Sequence, residues 1–214
     1  MTIILPKVGI FYASVPKVAC TSVKEFFFKI ENGFEFRPFK ANGRWSHIHH
    51  FYPAIARKNY PEEKISGLRR VTVVRDPVSR FLSAYSNRVI FHKELSKDKA
   101  GKSLEELGLQ ANPDLDTFVD LFDEYRKANV SIHHHTKTLV NFLGDDPSYF
   151  HKVYRMNELP DLARDMNEIA ETNIEMPHSQ KGGPKLSRDA LSAAQLAKIE
   201  GFYADDYKAF GRYF

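Results

Sequence analysis

Short apolar runs alternate along the chain with segments of helical periodicity. Val8–Ala13 is apolar, β-branched and aromatic, which predicts a buried strand that runs into a loop. Apolar residues then recur at three- and four-residue spacing over Thr21–Ile30, which predicts a helix with Thr21 or Ser22 as its N-terminal cap. The first unit of the chain is therefore a strand, a loop and a helix.

The same order of elements returns further along the chain. Arg70–Arg75 contains four consecutive β-branched residues and predicts a second buried strand. Asp76 and Pro77 then start a second amphipathic helix. Two strand-loop-helix units predict an α/β fold, namely a three-layer domain around a central parallel sheet.

The remaining pattern is less regular. A short strand is expected at Phe34–Phe36, while the histidine-rich segment Trp45–Tyr52 has no readable structure. Lys93–Pro113 is polar and broken by glycine and proline, so we expect a mobile surface segment, either a lid or a solvated loop. Further elements are predicted as a helix at Asp114–Ala128, a strand at Lys152–Met156, a helix at Glu158–Ala170, a loop at Thr172–Ser187 and a helix at Arg188–Tyr207.

The composition indicates one domain spanning residues 1–214. The chain is 43% hydrophobic, which suffices for one sizeable core, and it contains no repeat or linker. The net charge of +4 is mild and forms no long basic run, so nucleic acid is not expected as a partner.

The cysteine count and the lengths of the apolar runs indicate in which cellular compartment the protein is expected. Cys20 is the only cysteine, so an internal disulfide and a cysteine-based zinc site are excluded and a cytoplasmic location is expected. No run approaches the roughly 20 apolar residues of a membrane span. Met1–Pro6 lacks the features of a secretory signal, so we expect a soluble protein.

The loop Pro16–Ser22 lies where a strand's carboxyl end meets a helix's amino end. Backbone N–H groups and the helix dipole favour a phosphate there. Lys17 adds a positive charge, and Thr21 and Ser22 add hydroxyl donors. The loop has no glycine, so a Walker phosphate loop is disfavoured. Taken alone, this segment is equally compatible with a phosphate-binding loop and with a capped helix start that has a solvated lysine.

A second anion-binding candidate follows the second strand. Arg75 stands at the strand's end and could grip a phosphate through two N–H groups. Ser83 lies two helical turns further on and could reach the same anion. Alternatively, Arg75 pairs with a carboxylate and Ser83 packs in the interior.

Together the two loops resemble the motifs by which sulfotransferases bind 3′-phosphoadenosine 5′-phosphosulfate (PAPS). The matching stretches are Pro-Lys-x-x-x-Thr-Ser at Pro16–Ser22 and Arg-Asp-Pro-x-x-Arg-x-x-Ser-x-Tyr at Arg75–Tyr85. Within that superfamily they look most like carbohydrate sulfotransferases. The resemblance implies a P-loop nucleotide-kinase-like fold, PAPS as donor, adenosine 3′,5′-bisphosphate as product and no required metal.

The resemblance also implies roles for individual residues. Lys17 would contact the transferring sulfuryl group, and Arg75 and Ser83 would hold the 3′-phosphate. Cys20 departs from the small Gly, Ser or Thr that is more usual at its position. The positions expected to bind the 5′-phosphosulfate are Lys17, Val18, Ala19, Cys20, Thr21 and Ser22.

Sulfuryl transfer also needs a base for the acceptor hydroxyl, and histidine titrates nearest to neutral pH. The resemblance places this base in Ser46–Tyr52, with His49 favoured and His50 second. A metal site built from His47, His49 and His50 is not expected, because no acidic ligand stands near them. His133–His135 could face the acceptor or lie in a loop, and the basic loop Lys181–Lys185 could close over the nucleotide or be a solvated turn.

The sequence thus predicts an enzyme that transfers a sulfuryl group from PAPS to a hydroxyl, with a carbohydrate as the expected acceptor. Two alternatives stay open. One is a small-molecule kinase with an atypical phosphate loop, which the missing Walker glycines disfavour. The other is a non-catalytic binder of nucleotides or anionic glycans, which the combination of a lysine and a plausible base disfavours.

Overall fold

The structure is a computed structural model that describes residues 2–177 and 182–214. The strands are β1 (Ile3–Leu5), β2 (Ile10–Ala13), β3 (Phe39–Ala41), β4 (Arg44–Ser46), β5 (Arg69–Val74) and β6 (Lys152–Arg155). The first helices are α1 (Cys20–Asn32), α2 (Ile48–Phe51), α3 (Glu62–Ile65), α4 (Pro77–Ala84), α5 (Lys97–Glu106) and α6 (Leu115–Asp120). They are followed by α7 (Phe122–Ala128), α8 (Val130–Thr136), α9 (Leu139–Leu143), α10 (Leu159–Ala170), α11 (Ala193–Phe202) and α12 (Ala204–Phe210).

A four-stranded sheet in the order β1-β2-β5-β6 is the centre of the fold. β2, β5 and β6 are parallel, whereas β1 is an antiparallel edge strand that the hydrophobic pattern did not predict. Every residue of β2 is fully buried, which explains its uninterrupted apolar sequence. The expected α/β fold with a central, mostly parallel sheet is confirmed.

The chain divides into two compact units. The first consists of Met1–Arg75, Leu139–Gln180 and Ala209–Phe214, and it contains the sheet with α1 and α10 packed on it. The second consists of Asp76–Thr138 and Lys181–Lys208, and its core is formed between helices by buried aromatic residues such as Phe81, Phe118 and Tyr203. That residues 1–214 form a single domain stays a prediction.

Two predictions about local structure are wrong. Lys93–Pro113 is not a mobile loop, because α5 occupies its middle and buries Ala100 and Leu104, one helical turn apart. The strand expected at Phe34–Phe36 is absent, and the strands β3 and β4 follow it as a hairpin. The hairpin turns at Asn42 and Gly43, which have φ of 51° and 74°, so the Asn-Gly pair was the overlooked turn signal.

Other predicted elements are confirmed with altered bounds. The strand expected at Lys152–Met156 is β6, and the helix expected at Glu158–Ala170 is α10. The helix expected over Asp114–Ala128 is broken at Leu121 into α6 and α7, and the one expected over Arg188–Tyr207 is broken at Tyr203 into α11 and α12. None of the described helices combines the length and the apolar character that crossing a membrane requires.

Gly183 makes a close backbone approach within the second unit. The Oγ of Ser86 donates to the carbonyl oxygen of Pro184 at 2.5 Å, and Gly183 has a φ of 81°. A Cβ atom on Gly183 would lie 2.3 Å from the carbonyl oxygen of Ser86. The sequence predicts a loop at Lys181–Lys185, and Gly183 and Pro184 in it pack closely against Ser86. Lys181 lies outside the described residues. Whether this loop contacts the nucleotide stays a prediction.

We predict that Gly183→Ala lowers the free energy of unfolding more than Gly43→Ala does. Gly43 is the matched control, since it also has a positive φ but nothing lies near its added Cβ. The control should lose about 1 kcal/mol through backbone strain, and Gly183→Ala should lose about 1–3 kcal/mol more through the steric clash. Urea unfolding of both variants measures the difference, and equal losses would contradict the proposed close approach.

Candidate active site

The loop between β2 and α1 has an unusual backbone. Lys17 and Ala19 have φ of 68° and 55°, in the left-handed region that residues other than glycine rarely adopt. Ala19 is the N-cap of the 13-residue helix α1 and provides no side-chain cap, so the expectation that Thr21 or Ser22 caps the helix is wrong. The first intrahelical hydrogen bond runs from the Val23 N–H to the Ala19 carbonyl at 3.1 Å.

This geometry makes the loop suited to an anion. The N–H groups of Cys20, Thr21 and Ser22 precede the first intrahelical bond and lie at the positive end of the helix dipole. The N-cap residue, Ala19, has no side-chain oxygen with which to cap that end. The residues expected to bind the 5′-phosphosulfate, which begin at Lys17, therefore surround the amino end of α1.

Arg75 lies against the same loop. Its Nη1 donates to the Lys17 carbonyl oxygen at 3.2 Å. The contact forms because Lys17 follows β2 and Arg75 follows β5, and these strands are parallel neighbours. The structure thus brings together two of the residues that the sequence nominated from separate motifs.

The neighbouring Asp76 has a structural role in the second unit. Its Oδ1 accepts from the Ser79 N–H at 2.8 Å and so caps α4, the helix that carries Ser83. Its Oδ2 accepts from the Tyr207 hydroxyl at 2.8 Å and pairs with Arg188 at 3.3 Å. Ser83 is half-buried on α4, and its assignment to the 3′-phosphate stays a prediction from sequence.

His49 contacts α1 through both nitrogens of its ring. Nε2 lies 3.0 Å from the Thr21 Oγ1, and Nδ1 lies 3.0 Å from the Lys24 Nζ. Thr21 and Lys24 are three residues apart on α1 and therefore share one face of the helix. The favoured candidate base thus lies one hydrogen bond away from the loop that the sequence predicts to bind phosphate.

Lys24 is a candidate functional residue that the sequence analysis missed. It is only 2% exposed, which is rare for lysine. Burial lowers its pKa below the ordinary 10.5, and the charge of nearby Cys20 opposes this only in part. Its position three residues after Thr21 was a usable signal. The long side chain, however, makes a solvated end the default expectation for a helical lysine.

The contact between Lys24 and His49 couples their protons. A charged lysine can only donate, so it would take the Nδ1 lone pair and leave the ring hydrogen on Nε2. A neutral Lys24 can instead accept from Nδ1–H, which leaves the Nε2 lone pair available as a base. The lowered pKa of Lys24 favours this second arrangement.

The other histidines are engaged differently. His50 is exposed, and its Nδ1 accepts from the His47 backbone N–H at 3.3 Å, which caps the short helix α2. His133–His135 lie on α8 in the second unit, not in a loop. Burial, with smaller effects of Arg126 and Lys137, lowers the pKa of His133. Within residues 2–177 and 182–214, no three metal-ligating side chains are grouped to hold an ion.

Comparison of the sequence with known protein families gives a match over nearly the whole chain. The profile of the sulfotransferase family matches residues 1–213. No curated protein and no solved structure gives a match. The family match includes the β2–α1 loop, Arg75 and His49, and it extends over both units of the structure. The chain therefore belongs to the sulfotransferase family.

Proposed function

We propose that this protein is an enzyme that transfers a sulfuryl group from PAPS to a hydroxyl of an acceptor, with a carbohydrate as the acceptor that the sequence motifs favour. Family membership supports sulfuryl transfer in general. The observation that carries the proposal is the 3.0 Å contact between His49 Nε2 and Thr21 Oγ1. This contact supports the proposal because it brings a histidine that can act as a base next to the loop proposed for the phosphosulfate.

The residues of the β2–α1 loop fit the donor. When bound, PAPS supplies an activated sulfuryl group on a phosphate that can leave. Lys17 offers a cation, Thr21 and Ser22 offer hydroxyl groups, and the start of α1 offers backbone N–H groups at the positive end of its dipole. Arg75 is the proposed ligand of the 3′-phosphate, a group also present in the product adenosine 3′,5′-bisphosphate.

The proposed chemistry divides between the base and the loop. His49 Nε2 takes the proton of the acceptor hydroxyl, so that the oxygen can attack. Lys17 and the loop N–H groups face the negative charge that develops on the leaving oxygen. Lys24 is a positioning residue, because its bond to Nδ1 decides which ring nitrogen of His49 carries the hydrogen.

We predict that His49→Gln lowers the transfer rate by roughly 10²- to 10⁴-fold, the usual contribution of a general base. Glutamine keeps a polar group beside Thr21 and Lys24 but cannot take up the proton. The matched control is His50→Gln on the same helix, which should retain most of the activity because His50 caps α2. Both rates are measured with labelled PAPS, and a greater loss in the His50 variant would move the base to that residue.

A second prediction concerns the pH dependence of the rate. Only a neutral Lys24 accepts from Nδ1–H and so leaves Nε2 without a hydrogen. The rate should therefore rise with pH as Lys24 loses its proton, at a pKa below the ordinary lysine value of 10.5. The rise should approach about tenfold per pH unit, as one titrating group requires. In Lys24→Met this rise should be absent. Lys29→Met, on the same helix and at its surface, should keep the wild-type profile, and an unchanged profile in Lys24→Met would contradict the positioning role.

The third prediction tests the donor without knowledge of the acceptor. Arg75 is the proposed partner of a 3′-phosphate that AMP and ATP lack, and losing a two-pronged charged contact costs about 2–4 kcal/mol. Calorimetry should therefore show adenosine 3′,5′-bisphosphate binding about 30- to 1000-fold tighter than AMP. Arg75→Ala should remove most of this ratio. The ratio is the diagnostic quantity, because losing the bond to the Lys17 carbonyl weakens both nucleotides alike.

Two results would overturn the donor assignment. A preference for ATP would indicate the kinase alternative. Equal binding of adenosine 3′,5′-bisphosphate and AMP by the wild-type protein would show that the 3′-phosphate is not recognised. Binding with the expected ratio but without transfer to any acceptor would favour the non-catalytic alternative.

A further inference from the structure

An aromatic pocket lies in the first unit and is lined by residues of α1, of α2 and of the segment between these helices. Its volume is about 650 Å³, within the size range of small-molecule sites. The lining consists of Phe28, Phe34, Glu35, Phe36, Arg37, Phe39 and Phe51. Phe34, Phe39 and Phe51 are each more than 40% exposed, so a large apolar surface faces solvent here.

The pocket and the candidate base are connected through α1. Phe51 belongs to the same short helix as His49, but side chains two residues apart on a helix do not face each other. Phe28 lies four residues after Lys24 on α1, which is about 6 Å along the helix axis. Because Lys24 contacts His49, the phosphate loop, the base and the pocket follow one another along α1.

The shape and chemistry of the pocket favour an apolar chain over a bare sugar polymer. Its rings meet edge to face, with angles of 83° between Phe28 and Phe34 and 80° between Phe28 and Phe36. Such rings form a concave wall instead of the flat platform on which a sugar stacks. Five of the seven lining residues are phenylalanines, and the charged ones are Arg37 and Glu35, which pairs with Lys29 at 3.2 Å, so the lining is mostly apolar.

We infer that the pocket binds the apolar chain of an amphiphilic acceptor, such as a lipid-linked sugar, whose hydroxyl group then reaches His49. The inference rests on the proposed sulfuryl transfer and narrows its acceptor class. The length of the helix between Thr21 and Phe28, about 10 Å, sets the separation between the reactive hydroxyl and the apolar chain.

Titration calorimetry with alkyl β-D-glucosides of increasing chain length tests the pocket. The glucosides are used below the concentration at which they form micelles. Complete burial of one methylene changes the dissociation constant about fourfold. In an open pocket, where burial is incomplete, each methylene should lower the dissociation constant about twofold. Heptyl glucoside has five more methylenes than ethyl glucoside and should therefore bind roughly 30-fold tighter. Phe34→Ser and Phe39→Ser should remove most of this dependence, and neither residue lies on α1 or α2. Phe91→Ser, at a residue of similar exposure outside the lining, is the matched control.

Transfer from labelled PAPS tests whether this ligand is the acceptor. We expect transfer to heptyl glucoside, with Phe39→Ser raising KM by about tenfold and leaving kcat nearly unchanged, because it removes binding that is remote from the reaction. Binding that does not depend on chain length, or that both serine variants leave intact, would overturn the inference. So would chain-dependent binding without transfer in protein that binds adenosine 3′,5′-bisphosphate.

Different results would refute the proposed donor and the proposed acceptor pocket. A wild-type protein that binds heptyl glucoside but does not prefer adenosine 3′,5′-bisphosphate over AMP would refute the donor, not the apolar site. Transfer to a soluble polysaccharide at the same rate in wild type and Phe39→Ser would refute the pocket, not the donor. Self-association that Phe39→Ser abolishes, without glucoside binding, would make the pocket an interface between copies and overturn the inference.

Discussion

The parallel pairing of β2 with β5 is the constraint on which the candidate site depends. Ala13 pairs with Thr72, and the buried Thr72 hydroxyl donates to the Ala13 carbonyl at 2.9 Å. Because parallel neighbours end at the same edge of a sheet, the loop after β2 and Arg75 after β5 converge there. A register shift of one residue would turn the Thr72 hydroxyl to the opposite face and break this bond. The contact of Arg75 with the Lys17 carbonyl is a consequence of that pairing.

Helix α1 then positions the candidate functional groups. Its inner face, with Val23, Phe26 and Phe27 fully buried, anchors it in the core beside the sheet. A neighbouring face presents Thr21, Lys24 and Phe28 at three- and four-residue spacing, and these residues lead from the loop to the aromatic pocket. In the proposed function, one amphipathic helix therefore fixes both the position of the base and the direction from which the acceptor approaches.

The site combines features that each oppose stability. Three features are unfavourable for the isolated fold. They are the left-handed backbone at Lys17 and Ala19, the buried side chain of Lys24 and the exposed phenylalanines around the pocket. The well-packed core of the first unit, centred on β2 and β5, offsets them. Their grouping on α1 and its neighbours is the pattern expected where function, not stability, has selected the residues.

Local sequence determined the two strand-loop-helix units, because buried strands and amphipathic helices have different periodicities. It also determined that Lys17 and Arg75 follow the ends of strands. It also nominated a histidine segment, within which only the resemblance to sulfotransferases favoured His49 over His50. His47, His49 and His50 share the same short stretch and differ mainly in the direction in which each ring leaves the chain. Only tertiary structure decided that His49 meets Thr21 and Lys24, because that direction is set by packing of α2 against a helix more than 20 residues away in sequence. The burial of Lys24 and the aromatic pocket were decided in the same way, since both depend on side chains from separate segments enclosing a common space.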